Sequence, residues 1–581
     1  YSYPFSQAGA CMSVLVDSRT HHILGFHTTG NEDRTMGYAT VCVREMVKHL
    51  LPSVTVPESV PFPIAPEQST MYKTLAKQDI DVSVVTAVKP SLQLRTSVKT
   101  DIRPTPMAGV LSDPSRFPAE LSFPDDEVPG YGPLARAMKK ELAPTTPFPK
   151  KYLDIAALDL VDQVLVHCTP TVMNPQAVRT TEEAIIGIPG VAFCEGLKMN
   201  TSPGWPLCAL RPGSHKSSFI ETDEARTYCK IDPLLQASII QEEEKRASGV
   251  IPFSVYANFG KDERLKPGKD MRLINGCPLT QTVLWRKYCM DFFSAFKNSN
   301  LKIGSAIGMN PFGIGFNEMA QKLLSVGPYI LTGDYKNFGP TLRPECVDKV
   351  YDIIDAWYEK YCPQLNTFEA RMIRRTLVDS VINSYEISGD LIYQTNQGAP
   401  SGNPYTVDIN TIVGLLYLAV IWQVILEGTP YAGLAAFHKY LVKILLGDDL
   451  ICSIHHLLLP FFNNITMSKA FSKFGLVFTN PQKNNDVEEY CLLEQASFLK
   501  STFAKHYSRD IYVAHLDMSV ILDIPNWCRL PVPDMMEHLK VLSDQVLRYL
   551  ALYGPLVYNE NARKLKAWFA QRNVFLPVSD W

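Results

Sequence analysis

The stretch VKILLGDDLICSIH, Val442 to His455, decides the reading of this chain. An apolar run of strand length stops at Gly447, Asp448 and Asp449 follow, and Leu450, Ile451 and Cys452 resume the run. Adjacent carboxylates repel unless something positive sits between or beside them. One explanation is a hairpin tip, where Gly and Asp are ordinary turn residues and water solvates the charge. The other is a divalent cation site. Three letters leave both open, and the rest of the chain has to separate them.

Working outward, PYILTGDYKNFGP supplies a third carboxylate, Asp334, at the end of an apolar strand. Two ions about 4 Å apart need oxygens from more than one element, so such a residue is wanted; a strand-end cap is the plain alternative. The segment NQGAPSGNPYTVDIN begins as a Gly/Ser/Pro loop and becomes a long apolar helix carrying Ser401, Gly402, Thr406 and Asn410. On a helix Thr406 and Asn410 stand at i and i+4 and share a face, which suits a ribose or a base pair better than a core. Upstream, KDERLKPGKDMRLING places Lys261, Arg264, Lys266, Lys269 and Arg272 in twelve positions among Asp262, Glu263 and Asp270. A solvated loop is the usual reading of such a run, but alternating cations on extended chain can line a channel and neutralise a triphosphate.

Composition narrows the class. A chain of 581 residues, 46% apolar and 20% charged, predicts a globular protein of several subdomains. The most apolar run, from Ile412, is broken by Gln423 and reads as a buried helix, so a soluble protein with no transmembrane segment of its own is expected. Net charge is −3, so any nucleic-acid binding has to come from local basic patches. The thirteen cysteines show no CxxC pairs and read as reduced, buried thiols of an intracellular protein. Amphipathic segments mixed with apolar strands, without a βαβ repeat, predict an α+β fold.

The ordered set TSPGWP (Thr201–Pro206), KDERLK with Met271 and Arg272, GDYKNFG, PSGNPYTVDIN, LGDD, FGLVFTNPQK (Phe474–Lys483) and SFLK (Ser497–Lys500) resembles motifs G, F, A, B, C, D and E of the RNA-dependent RNA polymerases of picorna-like positive-strand RNA viruses. The form GDYKNFGP is most similar to that of the iflaviruses. The resemblance covers roughly residues 100 to 581. It implies a right-hand architecture with an antiparallel palm sheet: fingers at 91–290 and 384–400, palm at 291–383 and 401–506, thumb at 507–581, after a Pro-rich linker at 51–90.

The same resemblance implies template-directed RNA synthesis from ribonucleoside triphosphates by two-metal nucleotidyl transfer. Asp334, Asp448 and Asp449 would hold Mg²⁺, with Mn²⁺ able to substitute, and Lys483 would protonate the departing pyrophosphate. Lys261, Arg264, Lys269 and Arg272 would bind the triphosphate; Ser401, Thr406 and Asn410 would read the nucleotide; Thr201, Ser202 and Gly204 would guide the template, and Phe498, Leu499 and Lys500 the primer. In one departure, Gly339 stands where many relatives carry a second motif A aspartate that senses the ribose hydroxyl, so ribose selection falls to Ser401, Thr406 and Asn410 or to Asn337. Implied partners are the RNA template and nascent strand, nucleoside triphosphates, a genome-linked protein primer and an upstream protease in a polyprotein precursor. The implied location is the host-cell cytoplasm, at membrane-associated replication complexes.

Residues 1–50 alternate short strands and turns and end in an expected helix. SQAGACMSVLVDSRTHHILGFHTTGN resembles the C-terminal barrel of the chymotrypsin-like cysteine proteases of such viruses, with Cys11 as nucleophile and His27 in the specificity pocket. Residues 1 to 10 contain no His, Asp or Glu to activate the thiol, so an inactive remnant is expected. Of three other readings, a reverse transcriptase or another palm polymerase is opposed by the basic run and the S-G-x-x-x-T-x-x-x-N helix, a protease is disfavoured by the missing base, and a noncatalytic RNA-binding protein would be separated by a test for nucleotide incorporation.

Overall fold

The computed structural model describes residues 64–479 and 488–579, with Glu58 and Trp581, and, for backbone alone, five short strands between residues 2 and 57. Four of these, Ser2–Tyr3, Val14–Val16, Ile23–Gly30 and Gly37–Val41, form one antiparallel sheet. That is the β piece expected at the N-terminus. Cys11 and the helix expected after Val41 lie outside the described residues, and of His27 only the backbone, within Ile23–Gly30, is described.

The centre of the molecule is a four-stranded antiparallel sheet in the order Leu441–Leu446, Asp449–Ile454, Tyr329–Tyr335, Phe478–Thr479. Alternate side chains leave a strand on opposite faces. Leu331, Leu445 and Cys452 accordingly enter a core shared with Trp285, Trp357 and Trp422, whereas Ile330, Ile444 and Ile451 enter a second core with Phe316 and Phe503. Both faces are covered, which is why these strands read as uninterrupted apolar runs. Packed on the first face are the helices Lys150–His167, Leu279–Asn298, Pro344–Tyr361 and Thr406–Ile425. The last is long and apolar enough to cross a membrane by composition, but 15 of its 20 residues are buried within the protein, as the sequence reading had it.

A second, five-stranded sheet runs Leu273–Gly276, Val255–Gly260, Tyr385–Ser388, Leu391–Gln394, Ser83–Ala87. Its last strand, and the helix Thr70–Lys77 before it, fall in the stretch expected to be a linker. The reason is remote. Asp390, in the hairpin of this sheet, accepts hydrogen bonds from Ser69 Oγ at 2.7 Å, Thr70 N at 2.7 Å and Met71 N at 3.0 Å, satisfying the helix N-terminus while Met71 and Leu75 are buried.

Toward the C-terminus, strands Ser497–Phe498, Ser501–Lys505 and Tyr512–Leu516 form a small sheet, followed by the helices Met535–Ala551 and Pro555–Ala570. Their core admits Met107, and the strand Ile102–Pro104 pairs with Trp527–Arg529. A segment from early in the chain thus ties itself to the C-terminal helices.

Candidate active site

The paired carboxylates sit on a tight hairpin. Leu446 pairs with Asp449, leaving Gly447 and Asp448 as the two-residue loop. Gly447 takes a left-handed φ of 62°, which a residue with a side chain adopts only at a cost. Its N–H donates to Thr411 Oγ1 at 2.9 Å, so the helix Thr406–Ile425 holds the turn from below. Gly414 on that helix lets it approach: a Cβ there would stand 2.7 Å from Leu445 Cδ2. Asp334 lies one residue beyond the Gly333–Leu450 pair, at the same end of the sheet. Gly333 is required too, because a Cβ at that position would run into the ring of Phe478.

All three carboxylates line one cavity of about 840 Å³. Lys261, Arg272 and Lys500 line it as well, as do Ser401, Thr406 and Asn410 on another wall. Glu263 organises two of the cations: Arg272 donates to it through Nε at 2.7 Å and through Nη2, and Lys261 stands 3.8 Å away. Lys500 occupies the tip of the hairpin joining Ser497–Phe498 to Ser501–Lys505, where Leu499 and Lys500 both have positive φ, 53° and 61°. Burial pulls the Lys500 ammonium below its ordinary range, the charges of Arg116 and Arg272 reinforce this, and Asp449 and Asp517 oppose it.

On the helical wall the polar groups are not equivalent. Ser401 Oγ accepts from Asn275 N at 3.1 Å and donates to Asn275 Oδ1 at 3.0 Å. Thr406 Oγ1 donates to the carbonyls of Pro400 and Asn403, both at 2.9 Å. Asn410 Oδ1, by contrast, is buried with no hydrogen-bond partner among the described residues. Gly339 stands by the other end of that amide: a Cβ at 339 would lie 3.9 Å from Asn410 Nδ2, with nothing else within 4 Å among the described residues beyond its chain neighbours.

Other expected site residues stand elsewhere. Arg264 does not line the cavity; its Nη1 donates to Asp523 at 2.8 Å and fastens the basic loop to the C-terminal region. Lys269 is exposed beside Gly268, away from the cavity, as is Lys266. Phe498 is a core residue, 2% exposed among Phe316 and Phe503, while Leu499 is outside. Thr201, Ser202 and Gly204 also lie off the cavity. Lys216 donates to Thr201 Oγ1 at 2.5 Å and to the Ser202 carbonyl at 2.9 Å, and Gly204, φ 73°, allows the loop to touch the Cys277 carbonyl. Asn337 lines the cavity with a left-handed φ of 54°. Lys483 lies outside the described residues. The sequence reading missed Arg116, a lone arginine in SDPSRFP, and Asn275 and Glu386, which read as strand residues and line the cavity.

A central antiparallel sheet with its carboxylates on a hairpin, faced by a mixed sheet bearing the cations and followed by a helical C-terminal unit, is the fold of a right-hand polymerase. A solved structure described as Sicinivirus 3Dpol RNA-dependent RNA polymerase superposes with a TM-score of 0.66 at 18% identity, over 86% of this chain and 96% of that one. The model of the viral RNA-dependent RNA polymerase family matches residues 155–572, and the chain belongs to that family. It is 27% identical to the genome polyprotein of Deformed wing virus over 100% of this chain and 20% of the polyprotein. It is 25% identical to the replicase polyprotein of Cricket paralysis virus over 96% of this chain and 33% of the polyprotein. The chain thus spans a fifth to a third of the length of these relatives.

Proposed function

We propose that this chain synthesises RNA on an RNA template from ribonucleoside triphosphates, within the replication of a positive-strand viral genome. The observation that carries this is the single cavity in which Asp334, Asp448 and Asp449 face Lys261, Arg272 and Lys500 across the wall formed by Ser401, Thr406 and Asn410. Among the described residues no group of three or more His, Cys, Asp or Glu side chains is gathered closely enough to hold an ion by itself. Three carboxylates lining one cavity supply oxygen donors suited to a hard cation that keeps water and phosphate oxygens in its other positions. Asp334, Asp448 and Asp449 would hold Mg²⁺, or Mn²⁺ in its place, which when bound supplies charge neutralisation at the attacking 3′-oxygen and the triphosphate.

The chain's own contribution is positioning and electrostatics, because phosphoryl transfer asks little covalent work of a protein. Arg272, pre-oriented by Glu263, and Lys261 receive the triphosphate. Asn410 reads the ribose through its unpaired amide oxygen, with Ser401 and Thr406 shaping the loop beside it. Lys500 contacts the primer strand from its hairpin tip, Thr201, Ser202 and Gly204 guide the template, and Lys483 protonates the leaving pyrophosphate. Arg264 and Lys269 act by holding and screening the basic loop. Fingers at 91–290 and 384–400 would be joined by Ser83–Ala87, which shares their sheet; the palm spans 291–383 and 401–506 and the thumb 507–581.

Residues 1–50 would be the end of an upstream cysteine protease, with Cys11 as its nucleophile and His27 in its specificity pocket. A genome-linked protein primer and cytoplasmic, membrane-associated replication complexes complete the setting. The test is extension of a primed homopolymeric RNA by the purified chain with Mg²⁺. Divalent-dependent incorporation of ribonucleotides is expected; binding of RNA without incorporation would overturn the proposal.

A further inference from the structure

Behind the Ser401 loop a row of polar side chains crosses four strands of the five-stranded sheet. Asn275 is opposite Asn258, and Glu386 is opposite Tyr393. All four are buried, at 4%, 1%, 3% and 0% exposure. Asn258 Nδ2 donates to Glu386 Oε2 at 2.9 Å and to Tyr393 Oη at 2.7 Å; Tyr393 donates to the same carboxylate oxygen at 2.7 Å. Asn275 Nδ2 donates to Asn258 Oδ1 at 2.9 Å and Glu386 Oε2 at 3.3 Å. Partly satisfied polar rows in a core are costly, and fully connected ones specify one arrangement.

The row fixes which way the Asn275 amide faces. Its nitrogen is directed at two acceptors, so its oxygen is left to accept from Ser401 N–H and Ser401 O–H, both at 3.0 Å. Asn275 N–H returns a bond to Ser401 Oγ. The next loop residue, Gly402, lies so close on the strand that a Cβ would collide with the Asn275 carbonyl. Thr406, at the start of the Asn410 helix, then bonds back to Pro400. The orientation of one buried amide therefore sets the loop that frames the sugar wall of the cavity.

We infer that Asn275 is a positioning residue for the incoming nucleotide, its amide oriented by the Glu386 carboxylate through the Asn258–Tyr393 row. The inference rests on the reading of Ser401, Thr406 and Asn410 as the sugar wall. Asn275→Asp keeps the shape but turns an oxygen toward Glu386, beside Glu141, whose carboxyl is already held above the usual range by burial and by the Glu386 charge. Glu386→Gln restores a donor opposite that oxygen.

The experiment measures kcat and KM for a ribonucleotide and its deoxy analogue on a primed template, with thermal unfolding of each variant alongside. Asn275→Asp should raise the ribonucleotide KM about tenfold with kcat changed by less than about threefold, and narrow the ribo-to-deoxy ratio about fivefold. Adding Glu386→Gln should bring both back to within about threefold of wild type. Tyr393→Phe, which removes one hydroxyl and keeps the packing, should move the same two quantities by about twofold to threefold and serves if the aspartate variant does not fold. Unchanged KM and ratio in the folded variants, or an equal loss of kcat for both sugars, would overturn the inference. If Ser401→Ala and Asn410→Ala also leave the ratio at its wild-type value, the sugar-wall reading falls; if they narrow it and the Asn275 and Tyr393 variants do not, only the role of Asn275 falls.

Discussion

Replacing Gly339 by aspartate, with and without Asn410→Ala, tests how this site tells ribose from deoxyribose. A Cβ at 339 has room: among the described residues, and apart from its chain neighbours, only Asn410 Nδ2 lies within 4 Å, at 3.9 Å. A carboxylate oxygen lies about 2.4 Å beyond Cβ, so a suitable rotamer reaches hydrogen-bond distance of that nitrogen. On the proposed reading a sugar 2′-hydroxyl would donate to Asn410 Oδ1, which is buried without a partner among the described residues. A deoxy sugar would leave that oxygen unsatisfied. One such bond contributes about 1 to 1.5 kcal/mol, close to a factor of ten. Asn410→Ala should therefore narrow the ratio of ribo to deoxy catalytic efficiencies about tenfold, and Gly339→Asp should widen it by a similar factor. With the new carboxylate at position 339 supplying a second acceptor, the alanine change should cost only about threefold. The ratio is the right readout, since both substrates carry the same triphosphate and any repulsion by the new carboxylate cancels. A fall in both efficiencies by the same factor on Asn410→Ala would mean that the amide only shapes the loop. Strict additivity of the two changes would mean that positions 339 and 410 do not share the sugar.

Asp334→Asn and Asp448→Asn should each lower incorporation by at least about a thousandfold, several kcal/mol of transition-state binding, with little change in thermal unfolding; near-wild-type turnover in either would remove the carboxylates from the chemistry. Gly333→Ala should destabilise the chain by roughly 1–3 kcal/mol, because the new methyl meets the Phe478 ring, and an unaltered melting temperature would show that the central strand yields there. Burial pushes the Asp408 carboxyl up to about 7, against the pull of Lys297 at 3.4 Å. The folded state then holds a proton that the unfolded chain releases near its reference value of about 3.9, so the contribution of Asp408 is full below that value and is lost as pH rises toward 7. The melting temperature of Asp408→Asn should gain on wild type across that window and level off above it; a constant difference would refute the assignment.

What the chain revealed in advance was local. A strand broken by GDD, a Gly/Ser loop running into a helix with Thr406 and Asn410 one turn apart, and an apolar helix interrupted by Gln423 each carry their geometry in consecutive residues. What stayed hidden depends on partners far away in sequence. The helix Thr70–Lys77 has an N-terminus satisfied by Asp390, so PEQSTMYK reads locally as loop. Arg264 looks like its neighbours in the basic run, and only Asp523 separates its use from that of Lys261 and Arg272. Phe498 and Lys500 share one motif, yet the hairpin turn at Leu499 sends one into the core and the other to the cavity. Asn275 carried no signal at all, being one polar letter in LING whose bonds run to residues 17, 111 and 126 positions away.

The helix Thr406–Ile425 ties the carboxylate turn to the proposed sugar wall. Asn410 faces the cavity, and the next residue, Thr411, accepts the Gly447 N–H that pins the Asp448 turn. Thr411 Oγ1 in turn donates to the Val407 carbonyl at 2.8 Å, so its lone pairs are aimed by the helix itself. The repulsion between Asp448 and Asp449 would favour opening the turn, and it is opposed from two sides: by the cations Arg272 and Lys500 across the cavity, and by a backbone bond to a buried helix that cannot shift without disturbing the core around Trp422. If Asn410 reads the sugar as proposed, consecutive residues of one helix would hold the turn and place the ribose, and the spacing between the reacting phosphate and the ribose would be set by covalent geometry within that helix. A nucleotide whose sugar is misplaced on Asn410 would then also be misplaced on the carboxylates, and discrimination at the sugar would be felt at the chemical step.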